Sequence, residues 1–333
     1  MQDLTIRFEG LDTTFHNLVD QKGFITSVLG KKYKLHILTE GDEEPDVLIY
    51  SWLNLNHLKW RNCIRIYLSM EMDFPDFNLC DYALGNVAID LGKRYMRLPN
   101  YVYYNDMLCR YEKEKVFIDK TAALQRDFCS VVVSNSDYRD PILFKFYDQL
   151  NNYKPIASGG KWHNNTGGPI GDKLNFIRKY KFHLAFENSH IDGYVTEKLL
   201  EPLFANTIPI YWGSSSVKED FGEKGYINIS DFDSVDQAVA YIKEIDNNDE
   251  LYWRILQERS LPSRTYDEWC DAVLNFLVEA IHLGKQLPKN SLYQFIHQEH
   301  YLVYALRENF LIKIYRKWLN IWYELKSRLN KSK

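Results

Sequence analysis

Glu187, Asp192, Glu197 and Lys198 crowd into one short run, FENSHIDGYVTEKLLEP (186–202). Two kinds of chemistry suit such a group. A carboxylate takes up a proton or faces developing positive charge, and a lysine holds an anion or a leaving group that gains negative charge. The order of the residues says how they are presented. FHLAFE (182–187) reads as a buried strand, Gly193 as the turn after it and Thr196 as a helix N-cap, which puts Glu197 and Lys198 in the first turn of the next helix. A helix start carries unpaired N–H groups and a partial positive charge, and both suit a phosphate. Pro202 falls inside the same helix and is expected to kink or shorten it. The plain alternative is that Glu197 only complements the helix dipole and Lys198 is solvated.

A second candidate lies far away in sequence. In CIRIYLSMEMDFPDF (63–77), Glu71 follows a strand, on a loop with Asp73, Pro75 and Asp76, where a carboxylate can act as a general base toward a cleft. DFD (231–233) has the form of an Asp-x-Asp metal motif, yet it stands before a helix and reads better with Asp233 or Ser234 as a cap. The nine histidines show neither HxxxH nor HExxH spacing, and no GxxxxGK[ST] run is present, so neither a zinc site nor a nucleoside triphosphatase is expected.

The elements that must position these residues are legible as short apolar or β-branched runs. They are LTIRFE (4–9), KLHILT (34–39), VLIYS (47–51) and CIRIYL (63–68), then FCSVVVS (128–134), FHLAFE and TIPIYW (207–212). Helix-length segments separate them, including 144–151, 234–245 and 249–259. Strands alternating with helices imply parallel pairing and an α/β class. The 333 residues divide into an N-terminal Rossmann-like unit (1–120), a second Rossmann-like unit (121–290) and a helical tail (291–333), with a ligand cleft between the units at the carboxyl ends of the strands. GGKWHNNTGGP (159–169) is a loop whose glycines let the backbone turn or approach something closely.

Five scattered cysteines without a CxxC pair read as reduced, buried thiols. The start MQDLTIRFEG has no basic region leading into an apolar core. No apolar run reaches the roughly 18 residues that a membrane span needs, so a cytoplasmic protein is expected. Net charge is -4, but residues 301–333 hold eight Lys or Arg against two Asp or Glu. The acidic remainder gives no electrostatic case for nucleic-acid binding. In the tail, Leu311, Tyr315, Trp318, Trp322, Leu325 and Leu329 form one helical stripe among Lys313, Arg316, Lys317, Lys326 and Arg328. Such a stripe suits the surface of an anionic membrane, or packing on the body or on a second copy of the chain. The membrane reading predicts that anionic vesicles sediment the full chain and not a chain lacking 301–333; equal sedimentation of both overturns it.

The run FHLAFENSHIDGYVTEKLLEPLFANTIPIYWGSSSVKEDF resembles the signature of the alpha-1,3/1,4-fucosyltransferases, glycosyltransferase family 10, above all the soluble bacterial enzymes. The likeness extends to MEMDFPDFNLCDYALG (70–85), RYMRLPNYVYY (94–104), FCSVVVSN (128–135) and SGGKWHNNTGGP, and so covers most of residues 4–260. It implies a GT-B fold, with GDP-fucose held by the C-terminal unit and the acceptor sugar facing the N-terminal one. It also implies a single inverting displacement in which the acceptor hydroxyl loses its proton as it attacks, with Glu71 matching the general base. Lys198 matches the family's diphosphate-binding lysine. Glu197 matches a carboxylate near the fucose and nucleotide, one that bonds sugar hydroxyls or stabilises positive charge on the anomeric carbon. Asn188, Tyr194 and Asn135 match donor-pocket positions, and Asp192 is given no role.

Two departures stand out. Around the base the family usually has Gly-Glu-Asn where this chain has Met70-Glu71-Met72, which alters the acceptor pocket. The phosphate-binding arginine that commonly follows the Ser-Asn pair is matched by Leu143, leaving Arg139 or Lys145 to supply the charge. Arg139 is preferred, although an arginine fork and a lysine point charge are not equivalent. The expected activity is transfer of L-fucose from GDP-fucose to O3 of the GlcNAc in an N-acetyllactosamine-type glycan, free or lipid-linked, at the inner membrane face. No cofactor is required, with Mn or Mg at most stimulatory. The alternatives are a GT-B transferase with another donor or acceptor and a catalytically silent glycan-binding protein. Retention of Glu71, Glu197 and Lys198 together speaks against the second.

Overall fold

The computed structural model describes residues 1–11, 21–39, 41, 43–54, 56–69, 71–114, 118–134 and 140–286. The first part of the chain runs through β1 (Gln2–Glu9), α1 (Gln21–Gly30), β2 (Tyr33–Leu38), β3 (Val47–Tyr50), β4 (Ile64–Leu68), β5 (Tyr82–Gly85), β6 (Tyr95–Arg97) and α2 (Asn105–Lys113). Its strands form one parallel sheet in the order β2-β1-β3-β4-β5-β6. Then follow α3 (Lys120–Leu124), β7 (Asp127–Val131), α4 (Pro141–Tyr153), β8 (Ile156–Ser158), α5 (Lys173–Ile177), β9 (Tyr180–Phe186), α6 (Glu197–Phe204), β10 (Ile208–Trp212), α7 (Val217–Phe221), β11 (Ile227–Asn228), α8 (Val235–Asp246), α9 (Asp249–Gln257) and α10 (Tyr266–Leu283). The second sheet is also parallel, in the order β11-β10-β9-β7-β8.

Every residue of β3 and β10 is buried, as expected where a parallel sheet is covered on both faces. That is why these runs are continuously apolar and still form strands. The short strands β5, β6, β8 and β11 were not foreseen; at two to four residues each they are too brief to carry a periodic signal. Ser234, which follows the DFD run, caps α8 by accepting from the Gln237 N–H, and Asp231 within the run pairs with Lys218 at 3.1 Å. In the glycine-rich loop, a Cβ on Gly160 would stand 2.0 Å from the Val133 carbonyl oxygen, the close approach that the sequence implied.

After the second sheet the chain returns to the first. The buried face of α10, with Trp269, Cys270, Val273 and Leu277, shares a core with Leu4, Ile25 and Leu29. The Tyr82 hydroxyl donates to the Gly284 carbonyl at 2.9 Å, and the Gln286 N–H donates to Asp81 at 2.7 Å. The cysteines are free and, apart from Cys109, buried. No helix among the described residues is long and apolar enough to cross a membrane, and the 291–333 tail lies outside the described residues, which end at 286.

The two sheets are clasped at one turn. Arg97, at the end of β6, makes a two-pronged ion pair with Asp220 of α7 at 2.9 and 2.5 Å and also donates to the Gly193 carbonyl at 2.6 Å. Gly193 donates its N–H to Ser214 and Ser216 at 2.9 and 3.0 Å, and the Ala88 N–H donates to the Asp192 carbonyl at 2.7 Å. Gly193 has φ +87°, and a Cβ there would lie 2.3 Å from the Ala88 nitrogen. Gly193→Ala is therefore expected to destabilise the protein by at least about 1–2 kcal/mol. Thermal melting checks this, at roughly 2–4 °C per kcal/mol for a domain of 150–250 residues; an unchanged melting temperature would show that the clasp yields freely.

Candidate active site

β9 is buried along nearly its whole length and delivers the next residue, Glu187, into the interior. A buried carboxylate needs partners, and here they come from the start of α6. The Thr196 N–H and hydroxyl both donate to Glu187 at 2.8 Å, and Lys198 Nζ lies 3.4 Å from it. The Thr196 oxygen in turn accepts from the Lys198 N–H at 3.3 Å, which is the helix cap read from sequence. Burial raises the Glu187 carboxyl above its ordinary value, against the pull of Lys198. The side chains of Glu197 and Lys198 each keep 20% exposure and that of Glu187 none, so a ligand can meet the first two while Glu187 holds them from behind.

Glu201 follows Glu197 by one turn, and carboxylates at this spacing repel. Lys173, the first residue of α5, relieves the repulsion by pairing with Glu201. Burial raises the Glu201 carboxyl, with Lys173 opposing. Burial also opposes ionisation of Glu197, but Lys198, Lys173, its own backbone and Thr196 outweigh it and hold this carboxyl below its ordinary value. Glu197 is thus an anion at neutral pH. The Tyr104 phenol is raised by burial and then by the negative charge on Glu197. A cavity of about 450 Å³ opens beside this group, lined in part by Tyr104, Met107, Lys173, Leu174 and Glu201.

Glu71 arrives from the other sheet, on the loop after β4. Its backbone carbonyl accepts from the Ser69 hydroxyl at 2.8 Å and from the Asn86 amide at 2.9 Å, which fixes the loop. Asp73 on the same loop is turned to the Tyr67 and Ser69 hydroxyls. The Glu71 carboxylate instead faces Tyr194, whose hydroxyl donates to Oε2 at 2.9 Å. Because Glu71 follows β4 and Tyr194 follows β9, this contact sets the carboxyl ends of the two sheets face to face.

Of the residues singled out from sequence, the structure gathers Glu71, Tyr194, Glu197 and Lys198. Asn188 is half-buried next to Glu187. Asp192 spends its carbonyl on Ala88 and its carboxylate on Ser215, which is turn and junction chemistry. Lys145 stands on the exposed face of α4, and Leu143 is buried in the second core, where a charge has no place. Asn135, Arg139 and Met70 lie outside the described residues. Sequence reading missed Tyr104, Lys173 and Glu201. The four-residue spacing of Glu197 and Glu201 was a usable signal that a cation must lie near; nothing local marks Lys173 or Tyr104 as its neighbours. Among the described residues no group of three or more His, Cys, Asp or Glu side chains is placed to hold a metal ion.

Comparison with known proteins identifies the family and the fold. The family model of the glycosyltransferase family 10 (fucosyltransferase) C-terminal region matches residues 122–296, and that of the alpha-(1,3)-fucosyltransferase FucT N-terminal domain matches 7–104. Alpha-(1,3)-fucosyltransferase FucT of Helicobacter pylori is 34% identical over 70% of this chain and 55% of its own length, so the chain spans about half of that relative. A crystal structure of an alpha1,3-fucosyltransferase superposes with a TM-score of 0.74 at 27% identity, covering 87% of this chain and 93% of that one. One with GDP-fucose superposes at 0.70 and 26%, with the same coverage. The fold is GT-B, as expected from the sequence. With the C-terminal family model alone matching more than half of its residues, the chain belongs to glycosyltransferase family 10, the fucosyltransferase family.

Proposed function

We propose that the protein transfers L-fucose from GDP-fucose to a sugar hydroxyl in one inverting step. The observation that carries this is the 2.9 Å contact between Glu71 and Tyr194, which puts a carboxylate of the first sheet at the very turn that leads into Lys198. The likeness to an alpha-(1,3)-fucosyltransferase and to a structure containing GDP-fucose supports the choice of donor. In this reading the diphosphate rests at the start of α6, where backbone N–H groups and Lys198 receive it. The acceptor oxygen attacks the anomeric carbon as Glu71 takes its proton. The bond to GDP breaks, its electron pair leaves with the diphosphate, and Lys198 stabilises the growing negative charge. Glu197, held ionised, faces the positive charge on the sugar or bonds its hydroxyls. On the acceptor side, Trp52 and Phe74 stand 44% and 57% exposed on the loops after β3 and β4, offering apolar surface to the C–H face of a pyranose.

The acceptor is proposed to be O3 of GlcNAc in an N-acetyllactosamine-type glycan. A silent binding protein is disfavoured, because recognition alone needs no base set opposite a leaving-group cation. GDP release from GDP-fucose, measured with and without N-acetyllactosamine, tests the reading. Acceptor-dependent release is expected; its absence across a panel of GlcNAc-containing acceptors would remove the proposal.

A further inference from the structure

We infer that Tyr194 is the positioning residue of the base, fixing the Glu71 carboxylate from the opposite sheet. The inference rests on the reading of Glu71 as the base, and it departs from the donor-pocket role that resemblance alone gave Tyr194.

The loop backbone at Glu71 is pinned through its carbonyl, but that leaves the side chain its own torsions, and the terminal torsion of a glutamate is broad. Among the described residues, the hydrogen bond to the carboxylate itself comes from Tyr194. The donor is well chosen for rigidity. Tyr194 is 1% exposed, has two side-chain torsions, and stands between the clasped Gly193 and the buried Val195 and Thr196. Burial and the carboxylates Glu187, Glu71 and Glu197 hold its phenol protonated, so toward Glu71 it acts only as a donor. With Oε2 engaged in this way, Oε1 is the oxygen presented to an acceptor hydroxyl. One rigid turn therefore sets both halves of the reaction: its first residues hold the base, and its last residue caps the helix that carries Lys198. Catalysis by a base depends steeply on such placement, since an ångström of error costs about a hundredfold.

Tyr194→Phe keeps the ring in its buried place and removes the hydroxyl. The expected result is a fall in kcat of about tenfold or more, with the dissociation constant of GDP unchanged within about threefold. In a Glu71→Gln background the same substitution is expected to lower the residual turnover by less than about twofold, because the group it positions no longer takes a proton. Glu71→Asp withdraws the carboxylate from the hydroxyl without touching the core, and Tyr194→Phe should add equally little on top of it. An unchanged kcat in Tyr194→Phe overturns the inference. So does a loss of GDP affinity that matches the loss in kcat/KM, or a full tenfold loss in the Glu71→Gln background. Undiminished turnover in Glu71→Gln by itself would instead remove the base assignment on which the inference stands.

Discussion

Glu71→Gln is expected to lower acceptor-dependent turnover by about 10²–10⁴-fold, the usual contribution of a general base, while GDP binding stays as it was. The substitution isolates the proton. Gln has the same length and still offers an oxygen to the Tyr194 hydroxyl, which now stands 2.9 Å from Oε2, so the loop and the contact between the sheets persist. The carbonyl bonds to Ser69 and Asn86 are untouched as well. Only the capacity to take up a proton goes. Initial rates of GDP release at saturating acceptor give the comparison, and a loss smaller than tenfold would mean that another group deprotonates the acceptor.

Lys198→Ala is expected to cost about 10²–10³ in kcat, the typical loss on removing one donor to a developing anion. It should also weaken GDP binding. A second effect follows from Glu187, which sits fully buried with Lys198 Nζ at 3.4 Å. Removing the cation leaves that carboxylate with its two bonds from Thr196 and no countercharge, and breaking a buried pair in this way costs about 3–5 kcal/mol as an upper range. Lys198→Ala is therefore expected to melt earlier than the parent. Combining it with Glu187→Gln, which needs no countercharge, should recover much of the melting temperature and none of the turnover. If the double variant regained activity along with stability, Lys198 would be a structural cation and not a leaving-group one.

The fold was largely legible because its central strands are buried on both faces and so appear as unbroken apolar runs, β3 and β10 most clearly. The helix start at Thr196 was legible for a local reason: an N-cap is chosen by the three or four residues that follow it. What the sequence could not show is the company each residue keeps. FENSHIDGYVTEKLLEP already divides by sequence into a strand-end residue at Glu187, turn chemistry at Asp192 and a helix start at Glu197 and Lys198, and the structure adds their partners: Thr196 and Lys198 around a buried Glu187, and Ser215 on Asp192. The pairing of Glu71 with Tyr194 joins residues more than a hundred positions apart, and only the facing of two sheets brings them together. The attachment of α10 to the first sheet was hidden for the same reason, since an amphipathic helix shows that it has a partner without showing which.

The most direct test of the proposed chemistry is the anomeric configuration of the fucoside formed from GDP-fucose, read from the anomeric proton by NMR on the product. Direct attack by an acceptor hydroxyl deprotonated by Glu71 predicts a configuration opposite to that of the donor. A product that retains the donor's configuration would contradict a single displacement, and with it the division of work between Glu71 and Lys198.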